Sequence, residues 1–141
     1  MVISGSSSLK EEMRGWRERC EEAGFQILDW PAPMKEGDFD DVFPEMHKSF
    51  YEAIGKADIL FVPNETKEGR EAYIGAGVFA EISFAMGLNF VREEKMEIII
   101  LNRPKEGSNF HEDIIRWEKY GWLRIGPPEV MNIPYRDIID G

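Results

Sequence analysis

Asp58-Ile59-Leu60-Phe61-Val62 sets four consecutive apolar side chains behind a single acid. A strand with one face in water alternates apolar and polar residues. A near-continuous apolar run belongs to a strand buried on both faces, as in a parallel sheet. The flanking segments carry helical spacing instead. Upstream, Phe43, Met46, Phe50, Ile54 and Ala57 recur at intervals of three and four and predict a helix over 43–57, with Pro44 in its first turn. Downstream, an apolar stretch predicts a helix over 77–89.

The same alternation continues outward. Leu9, Met13, Trp16, Cys20 and Ala23 form one apolar stripe and predict a helix over 9–23, with Ser8 as its cap and Gly24 just past its end. Strands are predicted at 2–4, central in the sheet, and at 25–30, 97–101 and 122–125, with a further helix over 109–120. The tail, with Pro127, Pro128 and Pro134, is expected to end in a short helical turn. Strands alternate with helices and no repeat interrupts them. That pattern predicts one three-layer α/β domain over 1–141, with a mainly parallel sheet of about five strands in flavodoxin-like order.

The 141 residues suffice for a sizeable core, and 43% hydrophobic content argues against disorder. A net charge of −10 would repel a phosphate backbone and an anionic bilayer, so neither nucleic acid nor membrane is an expected partner. Cys20 is the only cysteine, which excludes an intramolecular disulfide. No run has the length of a membrane span, no secretory signal is recognisable, and a cytoplasmic protein is expected. No His, Asp or Glu cluster has metal-ligand spacing, and neither a metal nor a cofactor is expected.

In doubly wound sheets, ligands bind at the carboxyl ends of the strands. Three groups of residues draw attention there. Ser4-Gly5-Ser6-Ser7-Ser8 links the first strand to the first helix, where free N–H groups, a permissive glycine and hydroxyls suit a phosphate or a sugar. It reads equally as a plain turn with a serine cap, and it has neither Walker nor dinucleotide spacing. Gly75-Ala76-Gly77 leads into Val78-Phe79-Ala80-Glu81-Ile82, where Glu81 is the only charge between Ile74 and Leu88. Burying an unpaired carboxylate costs several kcal/mol or more. One reading makes Glu81 a nucleophile suited to an anomeric carbon. The other makes it a structural residue that caps backbone amides or faces solvent. Asp58 opens its strand against the preference of that position and is either a site residue or a turn residue. Residues 63–73 form a charged loop beside Glu81 that reads as solvated or as a lid, and Tyr73 could offer that pocket a hydroxyl or a ring. His47 and His111 are isolated on predicted helices.

Four blocks in order, Val2–Ser6, Ala57–Val62, Gly75–Ala85 and Glu97–Pro104, together resemble the nucleoside 2-deoxyribosyltransferase family, most closely its 2′-deoxynucleoside 5′-phosphate N-hydrolase branch. The likeness covers roughly residues 1–105 and implies the family's five-stranded parallel sheet. It also implies cleavage or transfer at the N-glycosidic bond of a nucleoside or nucleoside 5′-monophosphate. Glu81 matches the nucleophile and Asp58 the acid that engages the base. Gly5 and Ser6 match the sugar and phosphate loop, and Gly77 the glycine that opens the nucleophile's helix; Ser4, Tyr73 and Gly75 are expected beside them at the substrate site. A homodimer or larger homo-oligomer is implied as well. The chain departs from the family at Val2, where a tyrosine usually bonds the nucleophile, at Gly75, commonly a polar residue, and at Ser83, commonly glycine. The alternative is a catalytically silent nucleotide-binding module of the same fold.

Overall fold

The computed structural model describes residues 1–34 and 36–128; the expected helical turn of the tail lies outside them. Four strands, β1 (Val2–Ile3), β2 (Ile59–Val62), β3 (Glu97–Ile100) and β4 (Arg124–Ile125), form one parallel sheet in that order. Four helices connect them: α1 (Lys10–Glu22), α2 (Phe39–Lys56), α3 (Ala76–Val91) and α4 (His111–Lys119).

Side-chain alternation along the strands divides the interior in two. Ile3, Phe61, Ile99 and Leu101 pack with Met13, Trp16, Cys20 and Ala23, the expected stripe of α1. Val2, Leu60, Val62, Ile98 and Ile100 point the other way, against Ile54 of α2, Ile82, Ala85 and Met86 of α3, and Ile114 of α4. The sheet is thus sandwiched between α1 on one face and the other three helices on the opposite face. Both α1 and α4 end in Schellman turns: Gly24 and Gly121 have positive φ, and the amides of Phe25 and Trp122 reach back to the carbonyls of Cys20 and Trp117.

The expected fifth strand is not formed as such. Residues 26–29 run beside β1 and share a single parallel bridge, Val2 with Asp29. Their ladder is limited to Leu28 N–H to the Met1 carbonyl (2.8 Å), the Met1 ammonium to the Gln26 carbonyl (2.8 Å) and Ile3 N–H to the Asp29 carbonyl (3.1 Å). Pro31 and Pro33 follow directly, and a residue without an N–H cannot extend a ladder. β1 therefore stands at the edge of the four-stranded sheet rather than at its centre, flanked on its outer side only by this short segment, although both its residues are fully buried. With 26–29 alongside it, the spatial order agrees with a flavodoxin-like arrangement.

Three helix starts also differ from expectation. Leu9, not Ser8, precedes α1, and the Ser8 hydroxyl pairs with that of Ser6 at 2.8 Å. α2 begins four residues early because the Asp38 side chain caps it, accepting from Asp40 N–H, which leaves Pro44 in the second turn. α4 starts only at His111, because Phe110 is left-handed (φ 68°) and its ring stacks on Phe79 at 4.1 Å.

At the carboxyl edge, Asn64 and Asn102 tie β2 to β3. Asn102 N–H donates to Asn64 Oδ1 (2.8 Å), Asn64 Nδ2 to the Asn102 carbonyl (2.7 Å), and Asn102 Nδ2 to the Asn64 carbonyl (3.0 Å). Asn64 is buried, so its removal strands partners away from water. Asn64→Ala is expected to lower stability by about 1–3 kcal/mol in urea denaturation; an unchanged midpoint would show that this tie does not brace the edge.

Candidate functional site

Glu81 stands in the second turn of α3, just off the buried face made by Ile82, Ala85 and Met86. Its carboxylate meets the end of β1. Ser4 is fully buried, its N–H donates to the Phe61 carbonyl (2.9 Å), and its Oγ donates to Glu81 Oε1 at 2.6 Å. The hydroxyl on the Glu81 carboxylate thus comes from Ser4, while Val2 is a core residue.

Glu81 lines a cleft of about 480 Å³ with Gly5 and Ser7 of the β1–α1 loop, Asp29 at the end of the segment beside β1, Trp30 after it, and Phe43 and Phe50 of α2. Removal from water pushes the Glu81 carboxyl up to about 7; the Ser4 hydrogen bond opposes the rise and the nearby Asp29 charge adds to it. Burial likewise raises the Asp29 carboxyl, against the hydrogen bond from Trp30 N–H, and raises the Tyr51 hydroxyl, which also feels the Glu81 charge. Near neutral pH, Glu81 therefore exchanges between acid and carboxylate. One oxygen is held by Ser4, and Oε2 has no hydrogen-bond partner among the described residues.

The wall opposite is aromatic. Phe39, Phe43 and His47, four residues apart on α2, line it in successive ring contacts at 4.8 and 5.0 Å, and the stack continues to Tyr51 (4.8 Å) and Phe84 (5.0 Å), which line a neighbouring groove. Phe43 was expected in the core but is 41% exposed. An 18-residue helix is about 27 Å long and outruns four-residue strands of about 13 Å, so its first turns overhang the cleft.

The other expected site residues are dispersed. Asp58 is exposed at the amino end of β2. The register pairs Ile3 with Phe61, which puts Ser4 level with Val62 and Asp58 about 13 Å away along the strand. Its charge acts on the Met1 ammonium, and its carbonyl accepts from Glu97 N–H (2.8 Å). A residue entering a parallel strand lies at the edge away from ligands, so the structure does not bring Asp58 to Glu81. Gly5 lines the cleft, and a Cβ there would lie 2.5 Å from Met13 Sδ, so close approach to α1 also requires the glycine. Ser6 accepts from Lys67 Nζ at 3.0 Å. Gly75 caps α3 in an extended conformation, a Cβ on it would meet the Tyr73 hydroxyl at 3.1 Å, and Gly77 is open to solvent. Tyr73 lies in a neighbouring crevice, its ring covered by Arg70 (4.6 Å) and Lys67 (5.0 Å).

The loop over 63–73 is fastened rather than free. Glu65 accepts from Trp16 Nε1 at 2.8 Å, Lys67 reaches Ser6, and Lys67 and Arg70 close a tight hairpin around Glu68 and Gly69, both at positive φ. Asp29 is the site residue that sequence reading missed. Its signal was an acid closing a strand-like run, at the end where a parallel strand meets ligands.

No protein-family model matches the chain, and no curated protein matches it. Among solved structures, it is similar to the CMP N-glycosidase BcmB of Clostridium botulinum, with a TM-score of 0.53 and 16% identity over 99% of this chain and 96% of that one. At that identity the likeness establishes the fold, in agreement with the resemblance drawn from the sequence blocks.

The raised Glu81 carboxyl has a consequence for stability. Its folded value of about 7 exceeds the ordinary 4.5, so the fold favours the neutral form. The associated stability is present below pH 4.5 and is lost as pH rises through 7, by about 3 kcal/mol at most. Glu81→Gln keeps an acceptor for Ser4 and removes the titration. The variant should match the wild type near pH 4 and exceed it at pH 8; parallel denaturation curves across that range check the divergence.

Proposed function

We propose that this chain cleaves the N-glycosidic bond of a nucleoside or nucleoside 5′-monophosphate, or transfers its sugar, with Glu81 as the nucleophile. The observation that carries the reading is the Glu81 carboxylate, oriented by Ser4 at 2.6 Å and lining a cleft with an aromatic wall. An ionised Glu81 attacks C1′ through Oε2, and the Ser4 hydroxyl fixes the carboxylate plane. Trp30 and the α2 rings suit the flat face of a nucleobase. Gly5, Ser6 and Ser7 lie on the side suited to the sugar and its 5′ substituent. The fold shared with a CMP N-glycosidase supports the same reading. Water as the second acceptor gives hydrolysis, and a free base gives transfer.

Incubation with a panel of nucleosides and 5′-monophosphates, scored for free base, tests the proposal. Glu81→Ala should abolish release while keeping its thermal transition, and wild-type kcat/KM should rise with pH through about 7 as the carboxylate forms. A folded Glu81→Ala protein that still releases base would refute the nucleophile.

We further propose a homo-oligomer. Of the large apolar groups Trp16, Phe50, Tyr51, Phe84, Trp117 and Trp122, Trp16 is a core residue in edge contact with Phe61, whereas Trp122 is 40% exposed. Phe39, Phe90, Val91 and Trp122 are large apolar groups that remain exposed, with Val91 at 82%. Such surface favours association. Light scattering at micromolar concentration should give at least twice the 16.3 kDa chain mass; a monomer would exclude the assembly.

A further inference from the structure

We infer that Asp29, not Asp58, is the carboxylic acid that protonates the departing nucleobase and then takes the proton of the attacking water. The inference rests on the glycosidic reading of Glu81.

The geometry of β1 is the first ground. Ile3 N–H donates to the Asp29 carbonyl at 3.1 Å, and the next residue, Ser4, holds Glu81 at 2.6 Å. The main chain of Asp29 and the carboxylate of Glu81 are thereby held at consecutive positions of one buried strand. Both line the same cleft. Asp29 Oδ1 accepts from Trp30 N–H at 2.8 Å, which fixes the side chain and leaves Oδ2 without a hydrogen bond among the described residues.

The neighbours of Asp29 form the second ground. Trp30 lines the cleft, and the Arg17 guanidinium packs over its ring at 4.6 Å, which holds the indole in place. A base lying against that indole is adjacent to the acid that must reach it. The other titratable cleft residues, Glu45 and His47, are exposed on the overhanging half of α2, where no backbone clamp positions them. Asp29 is half-buried, and its burial favours the protonated form that an acid needs at the start of the reaction.

The steps balance. Glu81 Oε2 bonds to C1′ while the C1′–N bond breaks, its electron pair passing to the base and the Asp29 proton following it. Water then bonds to C1′ of the glycosyl ester, the C1′–O bond to Glu81 returns its pair to the carboxylate, and Asp29 accepts the water proton. The products are the free sugar and the free base, with both side chains restored.

The experiment compares ordinary purine and pyrimidine 5′-monophosphates with a 7-methylpurine analogue, whose cationic base departs without a proton. Asp29→Asn keeps an acceptor for Trp30 N–H, and its thermal transition is checked first. It should slow release of ordinary bases about 10²-fold or more and of the methylated base only a few-fold. Asp58→Asn should leave both near wild type. Asp29→Glu, an acid displaced by one methylene, should recover part of the loss. Equal slowing of both leaving groups by Asp29→Asn would make the residue structural. No slowing, or a leaving-group-dependent loss in Asp58→Asn, would overturn the assignment. If wild type releases neither base, the reading of Glu81 itself fails, an outcome distinct from active wild type with unimpaired Asp29→Asn.

Discussion

A hydroxyl at the end of β1 meets a carboxylate on α3. The 2.6 Å bond from Ser4 to Glu81 joins elements 77 positions apart in the chain, at the edge where a parallel sheet opens to ligands. It opposes the desolvation that otherwise pushes the acid upward, so Glu81 titrates near neutrality. A fully solvated glutamate would be ionised but unoriented. A fully buried one would be oriented but neutral. Ser4 holds Glu81 between these limits, with one oxygen committed and the other free.

The surrounding structure serves to place that bond. β1 is short, and it is held on one side by β2 and on the other by the segment over 26–29. Core side chains from both faces exclude water from it completely. Gly5 lets α1 pack against the turn that follows, where any Cβ would collide with Met13. The Asn64–Asn102 pair closes the next two strand ends. These contacts brace the carboxyl edge on which Ser4 and Glu81 meet.

The cleft has a rigid side and an overhanging side. Ser4, Asp29 and Glu81 stand on or beside strands. The aromatic rings of α2 stand on turns that extend past the sheet and remain partly exposed. Chemistry of high positional demand belongs on the first side, and sequence-tolerant stacking on the second. Hydrogen-bond donors at this edge come from the β1–α1 loop, where Ser6 is already bonded to Lys67.

The amino-acid sequence by itself determined the layer architecture, because a continuous apolar run such as Ile59–Val62 and a spaced stripe such as Met13, Trp16 and Cys20 have different periods that local chemistry dictates. It also marked Glu81, because one charge in an apolar helix is conspicuous without coordinates. Tertiary structure decided what that charge meets. Whether an acid beside a strand reaches the site depends on which end of the strand it occupies. That separated Asp58, which enters β2, from Asp29, which ends the segment beside β1. Both look alike in sequence, an aspartate next to apolar residues. Hydrogen bonding across the sheet likewise decided that 26–29 forms one bridge rather than a strand: Pro31 and Pro33 have no N–H, and those of Trp30 and Ala32 turn back to Asp29 Oδ1 and the Trp30 carbonyl. Partners for Ser4, Trp16 and Lys67 lie 49 to 77 residues away, and no local pattern encodes a contact that exists only after the chain has closed on itself.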